Sequence, residues 1–191
     1  MANEVDGGGT LQPISRSISH FGSPYWTGGV AGAFYLVGQL RHNARAKETG
    51  LLGVEALVNG ALVVESVKLI TQRPRPLDDK YHRGFFSGGY AFPSGHAMSA
   101  WAVATVVAYE YGERRPLVRI GAYGLASAVS LSRYGGRRHF LSDAFVGSLI
   151  GYGIGRYVFF KHHDRNLDAQ EEHGDFKPPS KLWPSATPYI L

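Results

Sequence analysis

Five apolar segments, punctuated by Gly, Pro and charged residues, occupy most of the chain, and their internal pattern fixes the fold class. Residues 17–40 contain no Lys, Arg, Asp or Glu and are bracketed by Arg16 and Arg41. Residues 51–70 are apolar apart from Glu55, Asn59 and Ser66, which share one face at ~100° per residue, with Glu65 and Lys68 elsewhere. Residues 97–111, 117–132 and 140–160 mix Ala, Gly and Ser with larger apolar side chains. None of these runs shows strict period-2 alternation between hairpin turns, so a sheet protein is excluded. The pattern predicts an all-α helical bundle of about five to six helices, whose small residues let backbones approach closely.

The 191 residues suit one domain. Its predicted organisation is a flexible leader over 1–16, a helical-bundle domain over 17–160 and a polar, Pro-rich tail over 161–191. The leader carries Gly7, Gly8 and Gly9 and lacks the basic start and apolar stretch of a secretory signal. His162 and His163, at the polar end of the last segment, are expected at the surface. Apolar residues at 44% and charged residues at 18% exclude a disordered chain. With no cysteine, disulfides, thiolate metal sites and a cysteine nucleophile are excluded. The net charge of +5 is compatible with nucleic acid, an anionic membrane surface or a phosphorylated substrate. Nucleic acid is disfavoured because the basic residues are scattered and no finger motif is present.

Mean hydropathy, −0.14, is lowered by the two polar ends. Each apolar segment is short for a membrane span or carries ionisable groups, which cost at least ~2.5–3.5 kcal/mol each in hydrocarbon unless they face a polar interior. Hydropathy alone therefore leaves two solutions open, a membrane-embedded bundle around a wet polar site and a soluble bundle with an Ala- and Gly-rich interior.

Three motifs carry chemistry. In KLITQRPRP, Lys68 lies near a helix end because Pro74 and Pro76 stop the helix, and Arg73 and Arg75 follow on extended chain. Basic groups at a helix C-terminus are also what the helix dipole favours, whatever the function. In YAFPSGHAMSAW, Ser94 can cap the helix that follows, Gly95 lets a ligand approach the backbone, and the exposed amides of the first turn suit an anion beside His96. The charges of the preceding loop, Asp78, Asp79, Lys80, His82 and Arg83, read as solvated. In SRYGGRRHFLSDAFVG, His139 and Asp143 are spaced to share a helix face. The carboxylate can then accept a hydrogen bond from one imidazole nitrogen and leave the other to attack. Together these supply the parts of a phosphoryl transfer: Lys68, Arg75 and Arg133 as cationic clamps, amides at Ser94 and Gly95, a nucleophile and an acid.

The order K-x6-RP, PSGH, SR-x5-H-x3-D between Lys68 and Asp143 resembles the three-part motif of the type-2 phosphatidic acid phosphatase superfamily. That superfamily includes membrane lipid phosphatases, bacterial class A acid phosphatases and vanadium-dependent haloperoxidases. The resemblance implies that Lys68, Arg75, Ser94, Gly95 and Arg133 hold the phosphate, that His139 attacks to give a phosphohistidine, that His96 protonates the leaving alcohol, and that Asp143 orients His139. It implies no metal and no cofactor, with vanadate binding as an inhibitor, or as the cofactor in the haloperoxidase reading. The wording VKLITQRPRP and the run HFLSDAFVGSLIGYGIG look more like the membrane enzymes, which usually carry six spans against five candidates here. The expected substrate is accordingly a phosphorylated lipid such as phosphatidic acid or a polyprenyl diphosphate, met in a membrane with the site on the extracytoplasmic side. A soluble periplasmic acid phosphatase acting on small phosphoesters, a haloperoxidase and a non-catalytic phosphate-binding scaffold are the alternatives.

Overall fold

The computed structural model describes residues 17–76, 84–136 and 138–172. The expected leader, the loop charges Asp78 to Arg83, Arg137 and most of the expected tail lie outside the described residues. After a single helical turn over 17–20, five helices form the bundle: α1 (Pro24–Leu40), α2 (Ala44–Thr71), α3 (Gly95–Tyr111), α4 (Pro116–Gly135) and α5 (Leu141–His162). A short α6 (Arg165–Glu172) follows, and no strand occurs among the described residues.

Local chemistry sets the boundaries. Ser23 caps α1, accepting from the Trp26 amide at 3.4 Å, with Pro24 in the first position where a missing amide costs nothing. The apolar run read as beginning at residue 17 therefore breaks at Ser23. Asn43 caps α2 through a 2.9 Å bond from the Ala46 amide, so this helix starts seven residues before the apolar stretch that signalled it. It ends at Gln72, whose left-handed φ of 44° turns the chain ahead of Pro74.

Helix α3 is the central strut, packed against α1, α2, α4 and α5. Its buried residues are mostly small, Ala97, Ser99, Ala102, Thr105 and Ala108 among them, with Met98, Val103 and Val106 between. The partner face of α5 is a glycine stripe. A Cβ at Gly147 would lie 2.4 Å from the Ser94 carbonyl, at Gly151 2.2 Å from that of Met98, and at Gly155 2.6 Å from that of Ala102. Only glycine permits this approach, which draws the starts of α3 and α5 together.

Many large apolar side chains face outward, including Val58, Leu62 and Ile70 on α2, Leu117, Ile120 and Leu131 on α4, and Phe145 and Leu149 on α5. Among the described residues, α2 is the one helix long and apolar enough to cross a membrane. At ~1.5 Å per residue its 28 residues span ~42 Å.

At the end of the bundle away from the motifs, α6 docks through buried Leu167 and an ion-pair network, so the segment read as tail begins as packed structure. Arg45 donates to the Glu110 carbonyl at 2.7 Å and to Asp168 at 2.6 Å. His163, expected at the surface, instead stacks on Phe159 and is held by Glu48 at 3.1 Å, Glu110 at 3.3 Å and Asp168 at 3.0 Å. Its neighbour His162 pairs with Glu55 at 2.7 Å. Burial opposes the charge on His163, but the Glu110, Glu48 and Asp168 carboxylates outweigh it and push the imidazolium up to about 11. A raised folded-state pKa stabilises fully below the unfolded value of ~6.5 and is lost as pH climbs through the folded one. Thermal stability is thus expected to fall from pH 6.5 toward 11, and His163→Gln to flatten that decline. Melting curves across this range check it.

Candidate active site

The three motifs meet at one end of the bundle, around a cavity of about 310 Å³. Lys68, Arg75, Gly95, His96, Arg133 and His139 line it, while Ser94 and Asp143, both fully buried, stand behind the wall. Each side chain arrives from a different element end. Lys68 comes from the last turn of α2, Gly95 and His96 from the first turn of α3, Arg133 from the last turn of α4, and His139 from the link into α5. The remaining wall includes Leu57, Ala61 and Val64 of α2, Met98 of α3 and Tyr90.

Ser94 caps α3 through a contact from the Ala97 amide at 3.5 Å, and its own amide donates to the Asp143 carbonyl at 2.9 Å. This second bond ties the PSGH turn to the start of α5. A Cβ on Gly95 would meet no obstruction from protein, its nearest neighbour being the Lys68 Nζ at 3.6 Å. What a methyl group there takes up is the space beside the clamp, which belongs to the ligand. Gly95→Ala is therefore expected to fold normally yet to weaken inhibition by phosphate on the order of tenfold or more, measurable as a competitive inhibition constant beside an unchanged melting temperature.

His139 is buried, and its Nδ1 lies 2.7 Å from the Ala91 carbonyl oxygen. A carbonyl only accepts, so Nδ1 carries the proton and Nε2 the lone pair. The expectation that Asp143 would accept this proton is corrected: the nearest carboxylate oxygen is 3.8 Å from Nδ1, beyond hydrogen-bond length. The cause is local. Phe140, not His139, takes the extended cap position, and the helix starts at Leu141. Asp143 is then in the first turn, where its Oδ2 accepts from the Phe140 amide at 2.9 Å and its Oδ1 from Arg73 at 2.7 Å. Asp143 places His139 through the backbone of Phe140 and through its charge, and the Ala91 carbonyl fixes the tautomer.

Arg73 is the residue that spacing alone did not single out. Its Nη1 donates to Asp143 and, at 2.8 Å, to Ser142, and its guanidinium stacks 4.0 Å from the Phe140 ring and 4.9 Å from that of Phe85. Its backbone carbonyl accepts from the Ala91 amide at 2.8 Å, so the first motif also holds the strand of loop that orients His139. An RPRP run offers two arginines; the structure sends Arg75 to the cavity and Arg73 to the carboxylate.

The electrostatics suit an anion. Lys68 pairs with Glu65 at 2.6 Å. Arg75 and Arg138 stand near Arg133, and Arg133, His139, Lys68 and His20 surround His96, so an arriving phosphate dianion supplies the negative charge that favours a proton on the His96 imidazole.

The chain resembles known proteins in both sequence and fold. The sequence profile described as the PAP2 superfamily matches residues 49–167. Over 70 residues the chain is 38% identical to a lipid A 1-phosphatase of Porphyromonas gingivalis, a stretch covering 37% of this chain and 16% of that relative. Among solved structures, LpxE of Aquifex aeolicus superposes with a TM-score of 0.62 at 22% identity, covering 78% of this chain and 86% of that one. A transmembrane PAP2-type phosphatidylglycerolphosphate phosphatase of Bacillus subtilis superposes with a TM-score of 0.56 at 26% identity, covering 85% of this chain and 77% of that one.

Proposed function

Because the chain belongs to the PAP2 superfamily, we propose that it is a lipid phosphatase working through a phosphohistidine on His139. The observation that carries this reading is the single cavity into which Lys68, Arg75, Arg133, His96 and His139 all open. Nε2 of His139 attacks phosphorus while the bond to the lipid oxygen breaks, and His96 gives its proton to the leaving alkoxide. Water then attacks the phosphohistidine, passing a proton to His96 as the phosphorus–nitrogen bond breaks and inorganic phosphate departs. Lys68, Arg75, Arg133 and the first-turn amides of α3 bear the charge that builds on the equatorial oxygens. Those fixed cations perform the neutralising task a metal ion performs elsewhere.

The lipid assignment has two supports. The cavity wall at Leu57, Ala61 and Val64 belongs to α2, whose other faces expose Val58 and Leu62. A phosphate seated at Lys68 thus has an apolar path for its hydrocarbon chain along the helix long enough to span a bilayer. Relatives over part of their length act in the same chemistry, the Porphyromonas protein being a lipid A 1-phosphatase. Basic residues stand at both ends of the bundle, Lys68, Arg73, Arg75, Arg133 and Arg138 at the cavity and Arg41, Lys47, Arg114, Arg115, Lys161 and Arg165 at the other, so the extracytoplasmic placing of the cavity rests on the resemblance to the membrane phosphatases and is part of this proposal.

The test is phosphate release by the detergent-solubilised chain from dioctanoyl phosphatidic acid, a polyprenyl diphosphate and p-nitrophenyl phosphate, with and without EDTA. Release from the lipids that survives EDTA and exceeds that from the soluble ester is expected. A chain inert toward all three, or one silenced by EDTA, overturns the reading.

A further inference from the structure

The segment ahead of α1 is packed onto the cavity, although none of the three motifs includes it. The helical turn over 17–20 places Ser19, itself buried, where its Oγ accepts a hydrogen bond from Nη1 of Arg133. Three residues on, the Gly22 amide bonds the Ser19 carbonyl at 3.2 Å and the Ser23 amide that of His20 at 3.0 Å, so the turn is closed on itself. Gly22 seats this turn directly on the catalytic end of α3. A Cβ there would lie 2.9 Å from the His96 carbonyl, 3.3 Å from the His96 Cβ and 2.3 Å from a Val129 methyl. The segment therefore spans from the carrier of His96 to the carrier of Arg133.

A guanidinium has donors on two edges, and which edge meets a ligand depends on its rotation about the end of a flexible stem. The Ser19 hydroxyl takes one Nη1 donor. The Nε of Arg133 is buried and bonds no atom of the described residues, while the residue itself lines the cavity, so the guanidinium donors that Ser19 leaves free can meet an oxyanion there. Fixing that rotation before the substrate arrives removes ordering cost from binding and from the transition state alike.

We propose that residues 17–23 form a strap that presets the phosphate clamp, with Ser19 as the positioning residue for Arg133. This inference rests on the phosphatase reading, and the experiment separates the two. Orthovanadate inhibition and dioctanoyl phosphatidic acid turnover are measured for the full chain and for Ser19→Ala, Ser19→Thr, Arg133→Ala and the Ser19→Ala/Arg133→Ala double variant. Ser19→Ala is expected to raise the vanadate inhibition constant and lower kcat/KM on the order of tenfold, at an unchanged melting temperature. Ser19→Thr, which keeps the hydroxyl, is expected to regain most of that loss. In the Arg133→Ala background the Ser19 substitution is expected to add nothing, because its target is gone.

Parental inhibition and turnover in Ser19→Ala overturn the strap while leaving the phosphatase reading in place. An undiminished Ser19→Ala penalty in the Arg133→Ala background also overturns it, since Ser19 would then act by another route. An Arg133→Ala variant that hydrolyses lipid phosphate and binds vanadate as the parent does strikes at the phosphatase reading itself. Should Ser19→Ala not accumulate as folded protein, Ser19→Cys retains the side-chain size with a much weaker acceptor, and the same pattern at smaller amplitude is expected.

Discussion

Replacing His139 by alanine is expected to lower lipid phosphate release by at least about 10³-fold while leaving the bundle folded. The ring is almost wholly enclosed, but its Nδ1 hydrogen bonds a loop group, the Ala91 carbonyl, so its loss removes the attacking nitrogen and leaves the helix packing alone. The residual rate would come from the cationic wall and the first-turn amides of α3, which still favour a charged transition state over water. His139→Gln is the sharper probe. Its amide NH₂ can reach toward Ala91, yet it offers no basic nitrogen, so it should be as inactive as His139→Ala with stability closer to that of the parent. Initial rates on dioctanoyl phosphatidic acid, with melting curves for each variant, check both halves. A His139→Ala enzyme turning over near the parental rate would remove the nucleophile from the mechanism.

The second large effect concerns Arg73→Ala. The side chain of Asp143 is fully buried and that of Arg73 only 17% exposed, with 2.7 Å between them. Deleting one member of a buried ion pair leaves the other charge without compensation, a cost of ~3–5 kcal/mol. Among the described residues, the Phe140 amide would remain as its hydrogen-bond donor. The same change frees Phe140 and Ser142, which flank the start of α5, and so loosens the link that carries His139. Activity is expected to fall on the order of 10²-fold even at temperatures where the variant stays folded, the scale of a catalytic group misplaced by about 1 Å. Adding Asp143→Asn to Arg73→Ala removes the orphaned charge and is expected to return part of the stability but not the activity. Denaturation midpoints and kcat for the two variants decide this. Parental stability in Arg73→Ala would show that Asp143 does not need its partner.

These two residues also show which parts of the site can be seen in sequence. Lys68, Ser94, Gly95, His96, Arg133 and His139 stand out because each is nearly the sole residue type that supplies its chemistry, at spacings set by helix ends. Arg73 does not, since RPRP holds two arginines and which one faces the cavity is decided by Asp143, seventy residues away. The relation of His139 to Asp143 was misjudged for a related reason. A spacing of four implies a shared helix face only when both residues are helical, and here the chain stays extended through Phe140. The all-helical bundle was legible from the Ala-, Gly- and Ser-rich apolar runs. The first turns of α2 and the whole of α6 were not, because they lie outside the apolar runs and are held by Arg45, Glu48 and Asp168, whose partners only the far-end network supplies. Ser19 carries no spacing signal, and its meaning depends entirely on where the preceding turn docks.

The most direct measurement is capture of the covalent intermediate. The full chain is mixed with radiolabelled short-chain phosphatidic acid, quenched in base within milliseconds, digested and mapped by mass spectrometry. Label that survives base, is lost in acid and maps to His139 is the expected result, with none in His139→Ala. Label on another residue, or hydrolysis at the full rate with no phosphoenzyme at any time point, would contradict nucleophilic attack by His139.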